Sequence, residues 1–174
     1  MKTLKQHIEE GLLSGMEDTL NTGKDIAKNV LYDEACRKIE QFIMDNYRLG
    51  YDRSFKIGKI TIKRKPNKDG KYIVDCKTAN EVSLRSCATA LTNDIFVWGK
   101  VRNFQVNDNV NITSLEGCPE EVEDFSVISN SNLKTLDGMP KVTHYFNFGF
   151  NNIKVSEKEL QKLSGAPNIT VWDR

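Results

Sequence analysis

The alternation of apolar and polar positions changes character near residue 50. Before that point the period is helical. Leu4, Ile8, Leu12, Met16 and Leu20 recur every fourth position and predict an N-terminal docking helix over residues 1–20, weakened by Gly11 and Gly15. Thr22-Gly-Lys-Asp25 then reads as a capping signal, with Thr22 at the N-cap and Asp25 near the positive end of the helix dipole. It predicts a second, amphipathic helix within residues 24–50, from about Lys24 to Tyr47. Ile26, Val30, Ala35, Ile39, Phe42 and Ile43 supply its face to bury, while Asp33, Arg37, Lys38 and Glu40 look outward.

From residue 54 onward the runs are short and two-periodic. FKIGKITIKRK and KYIVDCKT flank the turn-rich Pro66-Asn-Lys-Asp-Gly70, which predicts a β-hairpin, and Gly58 suggests a bulge in its first strand. VSLRS and IFVWGKV follow as further strand candidates.

A longer period overlies these runs. Phe104, Phe125 and Phe146 stand 21 positions apart, as do Val106, Val127 and Phe148, and Asn109, Asn130 and Asn151. Val101 matches Val122, Ile112 matches Leu133, Gly117 matches Gly138 and Pro119 matches Pro140. Phe-x-Val places two apolar side chains on one strand face. The asparagine falls where the chain must bend, and stacked copies predict an asparagine ladder. Each coil exposes an apolar face that only a neighbouring coil can cover, which is the logic of a solenoid. The segment Leu91–Val101 reads as a divergent earlier copy, with the hairpin capping that end. At the other end Ser156-x-x-Glu159 is a capping box for a short helix carrying Leu160 and Leu163 and stopped by Gly165, followed by a closing strand Ile169-Thr-Val-Trp172. The expected fold is α+β: an N-terminal helical arm, then over residues 54–172 a short leucine-rich-repeat-like β-solenoid capped by a β-hairpin and a C-terminal helix and strand.

Composition narrows the function. The 25 basic and 24 acidic side chains give a formal charge of +1, so nothing in the balance demands nucleic acid or membrane. No apolar run is long enough to span a bilayer, and Glu9, Glu10 and Gly11 interrupt any secretory core, so the expectation is a chain that is not secreted. Cys36, Cys76, Cys87 and Cys118 are scattered and the two histidines, His7 and His144, lie far apart, so neither metal nor cofactor is expected. No nucleophile sits beside a histidine in a recognised pattern, and no phosphate-binding glycine motif appears, so the chain reads as a non-enzyme. Asp75 and Cys76 are taken as an outward acid beside an inward thiol on one strand.

Two candidate surfaces remain. Lys63, Arg64 and Lys65 belong to a lysine-rich hairpin that either binds phosphate or guards an edge strand against self-pairing. Tyr145 and Phe150 stand where the other copies are polar and form a candidate partner-binding patch, with Trp98, Asn109, Asn130 and Asn151 as further candidates, unless the C-terminal helix covers them.

The segment from Leu91 to Val142, LTNDIFVWGKV…TSLEGCPEEVEDFSVISNSNLKTLDGMPKV, resembles the degenerate leucine-rich repeats of tailed bacteriophages, particularly phages of gut bacteria, whose repeat has the form LTSLEGxPxxVxxxFxxxxN. It departs from that form where Arg102-Asn103, Glu123-Asp124 and His144-Tyr145 replace glycines, which implies a bulkier loop there. The opening MKTLKQHIEE is similar to the capsid-targeting sequence of phage internal head proteins, cut after a glutamate in an Ile/Leu-x-Glu motif. Ile8, Glu10 and Gly11 fit that motif, with cleavage between Glu10 and Gly11; the other reading of the segment is a plain packing helix. The resemblance implies a phage accessory protein that binds another protein, either a capsid or scaffold component or a host defence protein, and that resides in the virion, the host cytoplasm or both. A structural virion component anchored by the N-terminal helices, and a nucleic-acid-binding accessory using the hairpin, are the alternatives.

Overall fold

The computed structural model describes residues 4–49, 60–76 and 81–172, without the side chains of 4–23 and 48–49. The chain is mixed α+β, with two helices and a β-solenoid of about five turns among the described residues. It divides into two compact units, Met1–Lys38 and Ile39–Arg174.

One helix, α1 (Leu4–Asn46), runs through the Thr22–Gly23 signal where two helices were expected. A capping residue offers an alternative bond without forbidding the helical one, and an interior glycine costs only about 1 kcal/mol against alanine. Ion pairs Lys28–Asp25 and Lys38–Glu34 line its exposed side at 3.7 and 2.7 Å. Ile39 and Ile43 are buried as predicted, but Ile26 and Val30 are exposed, together with Leu31. The reason is rotational: nine positions at about 3.6 residues per turn carry Val30 to the side of the helix opposite Ile39.

The larger unit holds two sheets. The helix ends at Asn46 and the chain turns directly into β1 (Tyr47–Leu49), a strand that the helical period had hidden. β2 (Thr61–Ile62) and β3 (Tyr72–Cys76) form the expected hairpin across a turn in which Asn67 Oδ1 accepts from the backbone N–H of Asp69 and Lys71. Phe55, Lys56, Gly58 and Lys59 lie outside the described residues. β4 (Val82–Leu84), β5 (Phe96–Val101), β6 (Asn103–Asn107), β7 (Glu121–Ile128), β8 (Lys141–Gly149) and β9 (Asn168–Trp172) complete the strands.

The six-stranded sheet runs β1-β4-β6-β7-β8-β9. Its β1–β4 pair is antiparallel; β4, β6, β7, β8 and β9 are parallel and in register. Val82, Phe104, Phe125, Phe146 and Ile169 therefore occupy one rung, one residue from each coil. The first coil strand is thus Val82–Leu84, earlier than the divergent copy read at Leu91–Val101. The 22-residue step from Val82 to Phe104 and the lack of a phenylalanine conceal it. In the second sheet, β2-β3-β5, β3 runs parallel to β5, so the second hairpin strand belongs to the coil stack.

The rungs fill the core. Phe125 stacks on Phe146 with ring centroids 5.3 Å apart and on Phe104 at 6.4 Å. Tyr47, fully buried, packs edge-on against Trp98 at 5.1 Å and donates its hydroxyl to the Leu91 carbonyl, which also accepts from Trp98 Nε1. Gly138, at φ 84°, lets adjacent coils close up: a Cβ there would lie 2.5 Å from the Glu116 backbone. At the far end Ser156 caps α2 (Glu157–Ser164) through Glu159 N–H, and Gly165 ends it in the left-handed conformation, as the capping box predicted.

Candidate functional site

The strands of the large sheet bury alternate residues, so every second side chain points away from the core. Phe104, Phe125 and Phe146 point in; their predecessors Asn103, Asp124 and Tyr145 point out and are directly paired across the ladder, with Asn168 beyond Tyr145. The second member of each pair read as a loop replacement, Asn103, Asp124 and Tyr145, thus stands on a strand in a continuous row on the outer face, while Arg102 lies between β5 and β6. A second outer row comprises Gln105, Ser126, Asn147 and Thr170. Between them lies a groove of about 230 Å³ reaching Glu81 at one end and Tyr145 at the other.

Tyr145 is 46 % exposed, and Phe150 and Trp172 are each 38 % exposed. The C-terminal helix leaves all three open to solvent. Phe150 sits at φ 53°, in the left-handed region, where it matches Asp108 and Ser129 at φ 53° and 59° in the preceding coils. Such a backbone suits aspartate or asparagine far better than an aromatic residue. Trp172 lies over Gly149, its register partner: a Cβ on Gly149 would come within 2.7 Å of Trp172 Cβ and 3.1 Å of Cε3. Glycine at that height makes room for the indole.

Electrostatics along the outer row are acidic. Asp124 Oδ1 lies 2.9 Å from His144 Nδ1. Partial burial pushes the Glu81 carboxyl above its ordinary value. Asn103 Oδ1 is shielded from solvent and has no hydrogen-bond partner, the single such side-chain atom among the described residues.

The other sequence candidates belong elsewhere. Asn109 and Asn130 are fully buried and make the ladder. Asn130 Oδ1 accepts from Asn109 N–H at 3.1 Å, Asn151 Oδ1 accepts from Asn130 N–H at 2.9 Å, and the amide groups of Asn109, Asn130 and Asn151 donate to the carbonyls of Arg85, Val106 and Val127. Their polar atoms satisfy the backbone at each bend, so Asn109 and Asn130 are scaffold and not contact surface; half-buried Asn151 joins the same ladder. Trp98 is 4 % exposed and is a core residue too. Its bulk and its single N–H donor are both accommodated inside, which a sequence pattern cannot distinguish from an exposed aromatic anchor.

Asp75 is buried beside buried Cys76, where the strand alternation had placed it outward. The ladder between β3 and β5 slips by one residue at this point. Asp75 Oδ1 accepts from the Lys100 N–H at 2.7 Å, and Oδ2 lies 3.7 Å from Lys63 Nζ. The carboxylate thus secures an irregular ladder. Lys63, Arg64 and Lys65 are exposed just beyond β2, the edge strand of its sheet. Ile8, Glu10 and Gly11 fall in α1, with their side chains outside the described residues.

Glu81 was not singled out from sequence, and Asn103 and Asp124 stood out only as replacements of the repeat's glycines, not as site residues. The available signal was their place one residue before the rung that ends in phenylalanine, which fixes them to the outer face.

No protein-family model matches the chain, and searches of curated proteins and of solved structures find no match either.

Proposed function

We propose that this protein is a non-enzymatic binding module that holds another protein on the outer face of its six-stranded sheet. One observation carries the reading: in the outer row Tyr145 stands 46 % exposed at a position that Asn103 and Asp124 fill in the earlier coils. Exposed aromatics beside polar groups are the usual anchors of protein interfaces. The repeat length, the parallel in-register strands and the asparagine ladder support a leucine-rich-repeat-like solenoid, and with it the resemblance to accessory proteins of tailed phages. In that setting the module is carried in the virion, is processed between Glu10 and Gly11, and acts on a host defence protein in the infected cell. The structural-anchor alternative takes its support from α1, which leaves Ile26, Val30 and Leu31 exposed for a partner.

A photo-crosslinking residue at position 150 tests the binding reading. Expected is one defined adduct in phage-infected cells, absent when the crosslinker is moved to Lys158 on α2 and lost in Tyr145→Ala. Equal crosslinking from both positions overturns it. Intact-mass analysis of the protein from particles separates the settings: a start at Gly11 supports packaging with processing, and an intact Met1 supports the structural anchor.

A further inference from the structure

The row Glu81, Asn103, Asp124, Tyr145 has a chemistry more specific than a generic contact surface. In-register parallel strands place neighbouring members of the row about 4.8 Å apart. Val82 pairs with Phe104, which sets Glu81 beside Asn103 in the same row. Two carboxylates therefore flank one amide, with an aromatic ring at the end. None of the residues lining the groove is basic. The amide between the carboxylates carries the orphaned acceptor, Asn103 Oδ1. A buried acceptor left without a donor costs about 1–3 kcal/mol, a cost relieved by a ligand that opens the groove enough to bring an N–H to it.

The row suits a group that donates several hydrogen bonds, carries positive charge and lies flat against a tyrosine. We infer that this groove receives an arginine side chain of the protein partner, whose guanidinium donates to Asn103 Oδ1 and Asp124, faces Glu81 and stacks on the Tyr145 ring. A planar guanidinium offers five donors in a fixed fork and stacks on aromatic faces; an ammonium is a compact, strongly hydrated point charge that matches a linear row poorly. The Asp124–His144 contact uses Oδ1 and leaves the second carboxylate oxygen for the incoming donor. This inference rests on the proposal that the outer face binds a protein, and specifies what that protein must present.

The probe is N-acetyl-arginine amide, titrated into the isotopically labelled full chain and followed by amide chemical shifts. Saturable shifts at Asn103, Asp124 and Tyr145, with a Kd on the order of 1 mM, are expected for a single side chain held without the rest of its partner. Asp124→Asn weakens them about tenfold or more, the scale of one lost charge-assisted bond. Tyr145→Ala does likewise, while Tyr145→Phe retains binding. Absence of saturation by roughly 50 mM, equal binding of the lysine amide, or any binding of the neutral citrulline amide overturns the inference. Crosslinking from position 150 that persists despite such a failure leaves the protein-binding proposal standing. Failure of the crosslinking with arginine binding intact removes the proposal and leaves a guanidinium site.

Discussion

Inside the coils, Phe104, Phe125 and Phe146 repeat one side chain at one height, and Asn109, Asn130 and Asn151 repeat another. On the opposite side of the same strands the rows read Asn103, Asp124, Tyr145 and Gln105, Ser126, Asn147. The two faces share backbone, register and period, so their difference comes only from what each must contact. The inner face meets a copy of itself, and a ring stacked on an identical ring leaves one good solution. The outer face meets solvent or a partner and is free to vary. Regularity here marks scaffold, and loss of regularity marks the surface proposed to bind.

Substitutions on the inner face should be felt through the whole unit. Phe125→Ala removes the central ring of the stack and is expected to cost about 3–5 kcal/mol in urea unfolding. Asn130→Ala leaves the Asn109 N–H without its partner and takes a side-chain donor from the Val106 carbonyl, at about 1–3 kcal/mol for the orphaned N–H. A loss under about 0.5 kcal/mol for either would place that position on the surface and erase the contrast between the faces.

Gly149→Ala lies between the two regimes. Its new methyl meets the Trp172 side chain and carbonyl, so β9 must shift, with an expected cost of about 1–3 kcal/mol and a changed tryptophan emission. Phe150→Asn runs the other way. It places a residue tolerant of the left-handed conformation where an aromatic is strained, and should stabilise the fold by about 0.5–1 kcal/mol while reducing partner binding. Destabilisation instead would make Phe150 a packing residue.

The smallest effect concerns Glu81. Its carboxyl is raised above the ordinary value of 4.5 because burial disfavours the charge. The folded state therefore binds the proton more tightly than the unfolded chain, and stability from this group is present below pH 4.5 and lost as pH rises through the higher folded value. Glu81→Gln should leave thermal stability unchanged in acid and raise it slightly at neutral pH, a difference that thermal melts at the two pH values will show.

The inner face was legible in sequence because it is the periodic one. The phenylalanine, valine and asparagine spacings gave coil length, strand phase and the ladder. Local signals with one physical outcome were equally readable, as with Ser156 and Gly165 at the ends of α2 or Asn67 in the hairpin turn. Where tertiary contacts override local preference, reading failed. The Thr22 cap signal lies within a helix, Trp98 and Asn109 look like surface recognition residues yet are buried, and Asp75 is buried where it holds a slipped ladder. Tyr145 and Phe150 were visible as departures from the repeat. Glu81 was hidden among ordinary polar residues, and Asn103 and Asp124 read only as replaced glycines until adjacent strands aligned them.

The asparagine ladder has a consequence for how such a chain can change length. Beyond its own bend each asparagine reaches no farther than the adjacent coils, and Glu116-Gly117 recurs in kind as Asp137-Gly138. Excising residues 117–137 would join like to like, seat Phe104 against Phe146 and offer Asn151 to the Asn109 N–H, while α1, α2 and the terminal strands kept their places. Whole coils are thus interchangeable parts, and recombination between them alters the reach of the outer face without inventing a new junction.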